Sequence, residues 1–280
     1  MIDEQKIMAA ARENVRAALE EDLGSGDISA LLIASDTKAQ ATVITRSNGI
    51  FCGQPWVEQT VASVDSQLEI SWFVADGDAI HAKEKLFEVS GSARSLLTTE
   101  RTMLNFVQLL SGTATRTAQY VQALEGSAAI LLDTRKTIPG LRIAQKYAVT
   151  CGGGTNHRIG LYDAYLLKEN HIAATGSIAA AVAAARAHHP DMPIEVEVES
   201  LDELSEAITA GADIAMIDNF TLEQTRNAVI NANGAIKLEA SGGIEAHAIT
   251  EIAQTGVDYI STGDLTKTVM PLDLSMRFTD

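Results

Sequence analysis

The sequence predicts an α/β protein in two parts: an antiparallel sheet packed with helices, then a parallel sheet built from consecutive β/α units. Three observations carry that prediction. Six short apolar runs recur through the second half, at 129–133, 164–168, 194–198, 213–217, 236–240 and 257–261. Helical stretches at 178–188, 201–210, 221–232 and 245–254 separate most of them. Such alternation builds a parallel sheet, because each crossover helix returns the chain to start the next strand in the same direction. The first half shows instead a period of two, as in Ala41, Val43 and Thr45 or Leu68-Glu69-Ile70, the mark of strands with one buried face.

Taken in order, residues 3–20 place Ile7, Ala11, Val15, Ala18 and Leu19 at near-helical spacing, so an amphipathic helix opens the chain. Gly24-Ser25-Gly26-Asp27 ends it. Residues 39–90 read as β structure, with a turn at Asp76-Gly77-Asp78. From Ala93 the pattern is helical to Leu124, with an interruption expected at Ser111-Gly112. The six β/α units follow, with Gly211 and Gly256 where helix C-terminal glycines belong. A full barrel would need eight units, and an open doubly wound sheet is the competing topology. Each run, however, ends in polar residues: Thr134-Arg135-Lys136, Lys168-Glu169-Asn170, Glu197 with Glu199, Asp218-Asn219, Ser241-Gly242-Gly243 and Thr262-Gly263-Asp264. A barrel gathers all its strand ends at one mouth, whereas an open sheet concentrates its ligand at one switch point. Six equipped ends favour the barrel. The tail, Leu272 to Phe278, is expected to return to the first domain.

Composition bounds the partners. The 280 residues carry a net charge of −16, with 46% hydrophobic and 21% charged residues, a globular composition with material for a sizeable core. The acidic balance argues against nucleic acid and against an anionic membrane surface, since phosphate contacts need clustered Lys and Arg. No apolar run reaches the 18 or so residues of a membrane span. Two cysteines, Cys52 and Cys151, suit a reduced compartment, and the expected location is the cytoplasm.

The charge is unevenly spread. Residues 133–171 hold Arg135, Lys136, Arg142, Lys146, Arg158 and Lys168 against Asp133, Asp163 and Glu169. That 39-residue segment is +3 and the rest of the chain −19. A cationic island in an acidic protein is a focused anion site. Arg142 and Lys146, four apart, read equally well as a solvated helix face. Gly152-Gly153-Gly154 lets backbone approach a ligand closely, and the following Asn156-His157-Arg158 adds donors. Ser241-Gly242-Gly243 and Thr262-Gly263-Asp264 are helix caps when taken singly. On the last two units together they suggest a cradle for a phosphate monoester. Glu195, Glu197 and Glu199 share one strand face and need Lys168, Lys237 or a metal as partner. Asp218 ends the next strand, so that two carboxylates stand where Mg²⁺ or ribose hydroxyls would bind.

Seven blocks carry a resemblance: ERTMLNFVQLLSGTATRT (100–117), DTRKTIPGLR (133–142), CGGGTNHRIGLYDAYLLKENH (151–171), EVEVES (195–200), MIDNF (216–220), EASGGI (239–244) and STGDLT (261–266). Together they resemble the quinolinate phosphoribosyltransferases, the decarboxylating nicotinate-nucleotide pyrophosphorylases, from residue 21 to the end of the chain. Ile138, Glu169 and Ser29 depart from the family pattern, where Thr, Asp and Thr are more usual. The resemblance implies an N-terminal α/β sandwich over 1–112 with the tail 267–280 returning to it, and an incomplete α/β barrel of six or seven strands over 113–266. It implies a homodimer in which Arg101 reaches into the partner's site. Carried over by position, Arg135, His157, Arg158 and Lys168 hold quinolinate's two carboxylates. Lys136 lies by the diphosphate and ribose of phosphoribosyl pyrophosphate, and Thr134 is a further substrate-binding residue. Glu197 and Asp218 face the ribose hydroxyls and Mg²⁺, and Ser241, Gly242, Gly243, Thr262, Gly263 and Asp264 hold the 5′-phosphate. The catalytic set is then Lys136, Lys168, Glu197 and Asp218, for ribosyl transfer followed by decarboxylation without a redox cofactor. A related pyrophosphorylase with another acceptor is a nearby alternative. A barrel lyase using Lys168 as a Schiff base is a more distant one, and a non-catalytic phosphate binder would not need Glu197, Asp218 and Arg101 together.

Overall fold

The computed structural model describes residues 2–246 and 248–279, which divide into two compact units. The first comprises residues 1–118, 137–153 and 268–280, the second 119–136 and 154–267. The division is therefore not a single cut, because residues 137–153 cluster with the first unit.

In the first unit, α1 (Glu4–Leu23) starts where Asp3 accepts from Lys6 N–H at 2.8 Å and stops at Gly24, whose φ is +50°. Its apolar stripe buries Ala11 and Val15 completely. After a short 3₁₀ turn (Ala30–Leu32), β1 (Lys38–Thr45) enters the main sheet, and β2 (Gly49–Ile50) leads into α2 (Gln54–Val64). Strands β3 (Glu69–Trp72), β4 (Ala79–Ile80) and β5 (Lys85–Ser92) follow, then α3 (Ala93–Ala123), which runs on into the second unit. The sheet order is β12-β1-β5-β3, antiparallel throughout, while β2 and β4 form a separate two-stranded ribbon. Strand β12 (Leu274–Thr279) is the expected returning tail, paired to β1 from Gln40↔Thr279 to Thr45↔Leu274. Ala41, Val43, Phe87 and Val89 face a core shared with Phe51, Leu96 and Met103. Trp72 stacks between Phe51 and Phe87 at 5.9 and 4.8 Å.

Two expectations are corrected here. Residues 39–90 are not all β, since α2 lies among them. Its β-branched sequence masks a helix that buries Trp56, Val57, Thr60 and Val61, one face at spacings of one, three and four. A half-buried carboxylate from another turn caps it: Asp76 Oδ1 accepts from Gly53 N–H at 2.7 Å and Gln54 N–H at 3.2 Å, and Oδ2 from Tyr147 O–H at 2.6 Å. Ser111-Gly112 does not interrupt α3. A Cβ on Gly112 would lie 2.4 Å from Met270 O, so this glycine lets the C-terminal segment pass against the helix. Helix α4 (Arg142–Cys151) completes the unit. It buries Lys146 completely, and its basic pair is not a solvated face.

The second unit contains β6 (Ile130–Leu132), β7 (Tyr165–Leu167), α5 (Glu169–Thr175) and α6 (Ile178–His188). It continues with β8 (Ile194–Val198), α7 (Leu201–Ala210), β9 (Ile214–Asp218) and α8 (Leu222–Ala232). Strand β10 (Lys237–Ser241), α9 (Ile249–Ala253), β11 (Tyr259–Ser261) and α10 (Asp264–Lys267) end it. The six strands are parallel in the order β6-β11-β10-β9-β8-β7, so β6 and β7 are its two edges. Ser177, Ser200 and Thr221 cap the helices after them by accepting from the N–H three residues on, and Gly176 and Gly211 close helices in the left-handed conformation. Parallel pairing throughout sets every strand's C-terminal end toward the same edge of the sheet. Among the described residues no helix is long and apolar enough to cross a membrane.

Candidate active site

At that edge of the second unit lies a cavity of about 420 Å³. Thr134, Arg135 and Lys136 after β6 and Lys168 after β7 line it, together with Glu197 on β8, Asp218 on β9, and Ser241 and Gly242 after β10. His157 and Arg158 enter from the loop between β6 and β7. Thus ten residues selected from sequence converge on one cavity. Lys168 Nζ donates to Glu197 Oε2. Asp218, in register with Ser241 on the neighbouring strand, accepts from Asn219 Nδ2 at 2.7 Å.

The remaining selections sit differently. Gly243 is exposed beside Gly242, whose φ of +102° and closeness to Asn219 (a Cβ would fall 2.2 Å from its Oδ1) leave room only for glycine. Thr262 and Asp264 are engaged in the fold: Thr262 donates to Ile244 O at 3.0 Å, and Tyr120 O–H donates to Asp264 at 2.5 Å. Gly263 packs under Lys136, whose Cδ would be 2.8 Å from an added Cβ. Arg101 is exposed on α3 in the first unit, to which the half-buried Arg142 and the buried Lys146 also belong. Glu199 is exposed, and Lys237 sits at the opposite end of its strand, bonded to Asp258 at 2.6 Å. Neither belongs to the cavity's chemistry.

Beneath the cations lies an acidic layer. His157 Nε2 is 2.8 Å from Glu195 Oε2 and 3.3 Å from Glu239 Oε2, carboxylates 4% and 0% exposed. Its backbone N–H donates to the buried Asp133 at 2.9 Å, and Asn156 Nδ2 reaches the other oxygen of Asp133 at 2.7 Å. Burial drives Glu195 up to about 7. Burial alone would lower His157, and the hydrogen bonds and charges of Glu195 and Glu239 oppose this and raise it. Arg158 is lowered, first by burial and then by the like charge of Arg135. The three groups around Nε2 are close enough to ligate a metal. However, Nδ1 accepts from Arg158 N–H at 2.8 Å, so the ring proton lies on Nε2, whereas a metal-bound imidazole donates from its other nitrogen. The cluster is built to share a proton. Glu239 was missed from sequence, although a carboxylate in the middle of a buried parallel strand, at the same period as Lys237 and Ser241, is itself a signal.

The family model for the quinolinate phosphoribosyl transferase N-terminal domain matches residues 27–111, and that for the C-terminal domain matches 113–277. The chain belongs to the quinolinate phosphoribosyl transferase family. A probable nicotinate-nucleotide pyrophosphorylase (carboxylating) of Bacillus subtilis is 43% identical over 92% of this chain and 90% of its own. One from Mycobacterium leprae is 42% identical over 95% and 96%. Among solved structures, the nicotinate-nucleotide pyrophosphorylase of Francisella tularensis superposes with a TM-score of 0.95 at 48% identity, covering 97% of both chains. Membership accounts for the fold.

Proposed function

We propose that the protein transfers the phosphoribosyl group of phosphoribosyl pyrophosphate to quinolinate and decarboxylates the product, giving nicotinate mononucleotide, diphosphate and CO₂ for NAD biosynthesis. The observation that carries this reading is the single cavity holding Arg135, Arg158 and Lys168 together with Glu197 and Asp218. The first three match a dianion and the last two a ribose on which positive charge develops. The pyridine nitrogen attacks ribose C1 as diphosphate leaves, with Glu197 and Asp218 facing the oxocarbenium-like centre and Lys136 the departing diphosphate. The N-ribosylated ring then accepts the electron pair of the breaking C2–carboxylate bond. CO₂ departs and a proton fills C2. Most of the work is positioning and charge matching.

Glu197 and Asp218, hard oxygen donors at neighbouring strand ends, fit Mg²⁺, directly or through water. The ion would supply charge neutralisation of the diphosphate. Ser241, Gly242 and Gly243, with the backbone around Thr262, Gly263 and Asp264, would hold the 5′-phosphate. Thr134 completes the substrate contacts, and His157 acts on them through Arg158. The working form is a cytoplasmic homodimer, with exposed Arg101 supplied to the partner's site; the two free cysteines suit that compartment. Lys168 is engaged by Glu197, whereas a Schiff-base lyase needs its lysine amine free to attack a carbonyl. Incubation with quinolinate, phosphoribosyl pyrophosphate and Mg²⁺ tests the reading: nicotinate mononucleotide and CO₂ must appear together. Turnover of nicotinate in place of quinolinate would assign the chain to a related pyrophosphorylase.

A further inference from the structure

We infer that Glu195 and Glu239 are positioning residues of the dicarboxylate pocket, holding Arg158 in place through His157. The inference rests on the proposed quinolinate reaction. Its starting point is a cost the fold does not require. Two carboxylates 4% and 0% exposed stand on β8 and β10. Glu195 Oε1 and both oxygens of Glu239 find no hydrogen-bond donor among the described residues, with Glu239 Oε2 at ion-pair distance, 3.3 Å, from His157. Buried acceptors without donors destabilise a protein. Apolar side chains would fill these inward positions more favourably.

What the acids secure is the residue before Arg158. His157 is held at three atoms: its N–H by Asp133, its Nε2 by Glu195 with Glu239 at ion-pair distance, and its Nδ1 by the N–H of Arg158. The last bond joins the imidazole to the backbone of Arg158, so ring and guanidinium-bearing residue are placed as one piece. That matters because the loop follows Gly152-Gly153-Gly154 and has little stiffness of its own. It also matters electrostatically. Arg158 faces the like charge of Arg135, and the carboxylates of Glu195 and Asp163 offset it. The acidic layer lets two guanidiniums wait side by side for a dianion, so little reorganisation is needed at binding. In this arrangement both ring nitrogens of His157 are occupied by the protein, and its part in binding is to orient Arg158.

Kinetics of Glu239→Gln, which keeps the shape and removes the charge, test this. The expected result is a KM for quinolinate raised about tenfold, the scale on which supporting partners act. The KM for phosphoribosyl pyrophosphate should stay within about twofold, and kcat should fall less than kcat/KM for quinolinate. Glu195→Gln should do the same, and the double variant should be less than multiplicative because both act through one imidazole. Unchanged constants, or equal rises for both substrates, overturn the inference. Wild-type protein labelled with ¹⁵N-histidine and titrated with phthalate, a dicarboxylate without the ring nitrogen, gives a result that needs neither variant folding nor turnover. His157 should keep its Nε2–H, Nδ1-acceptor signature to saturation, and transfer of its N–H to phthalate overturns the inference. Wild-type protein that makes no nicotinate mononucleotide counts against the proposed reaction instead.

Discussion

Lys168, at the end of β7, donates to Glu197 on the neighbouring strand β8, so the cavity pairs one of its own cations with one of its own acids. The pair is asymmetric, with the lysine side chain 42% exposed and the glutamate 11%. Removing the lysine strands a largely buried charge, whereas removing the glutamate leaves an amine that water can reach. Lys168→Met should therefore cost about 1–2 kcal/mol of stability and Glu197→Gln less than about 1. Both should lower turnover by about two orders of magnitude or more, since each removes charge from the reacting centre. Denaturant melts beside the quinolinate assay check this, and a larger loss of stability for Glu197→Gln would contradict it.

The pH dependence of stability follows from the layer under the cations. Burial raises Glu195 to about 7, above its ordinary 4.5. The folded state therefore binds this proton more tightly than the unfolded one. The contribution is complete below about pH 4.5 and lost as pH rises through about 7. The melting temperature should thus fall between about pH 4.5 and pH 7. Glu195→Gln should flatten that profile, and an unchanged slope would show that the drop comes from elsewhere.

All six parallel strands were legible in the sequence because buried strands read as short apolar runs closed by polar ends. Arg135, Arg158, Lys168, Glu197 and Asp218 were legible too, because they stand at those ends. Helix α2 was not: Val57, Thr60, Val61 and Val64 have strand propensity, and the helix is fixed by tertiary burial of Trp56 and by a cap from Asp76, twenty-two residues away from Gln54. Grouping of residues 137–153 with the first unit likewise depends on packing of Ala144 and Ala148 in the Trp56 cluster, which no local pattern encodes. Glu239 stayed hidden because one acid in an apolar run looks like an edge residue until β11 is seen beside it.

Gly112 gives a test of packing. A methyl group there would meet Met270 O at 2.4 Å and Pro271 Cα at 3.2 Å, both backbone atoms. Gly112→Ala must gain helix propensity within α3 yet displace the segment leading to β12. The overlap dominates, and the variant should lose about 1–3 kcal/mol. Thermal unfolding measures it; a stabilised variant would mean that the C-terminal segment moves aside freely.

Gly242 tests the loop after β10. Its φ of +102° already disfavours any side chain, and an added Cβ would fall 2.9 Å from Asn219 N as well as on its side chain. Gly242→Ala should push the loop away from Asn219 and the cavity. If this loop holds the 5′-phosphate, KM for phosphoribosyl pyrophosphate should rise about tenfold or more, with phthalate affinity within about twofold. A variant impaired only toward quinolinate would reassign the loop to the other substrate.

Arg101 tests the shared site. It is exposed on α3, in a different compact unit from Lys168, and the proposed dimer places each chain's Arg101 against the other chain's cavity. Arg101→Ala and Lys168→Ala homodimers would each lack a cation in both sites. A mixed dimer would pair one site carrying both lesions with one carrying neither. Mixing the two inactive proteins under conditions of subunit exchange should restore about a quarter of wild-type activity. That figure follows because random pairing makes half the dimers mixed, each with one intact site. Mass spectrometry of the intact dimers establishes exchange independently. Confirmed exchange with no recovered turnover would place Arg101 in its own chain's site or outside the site altogether.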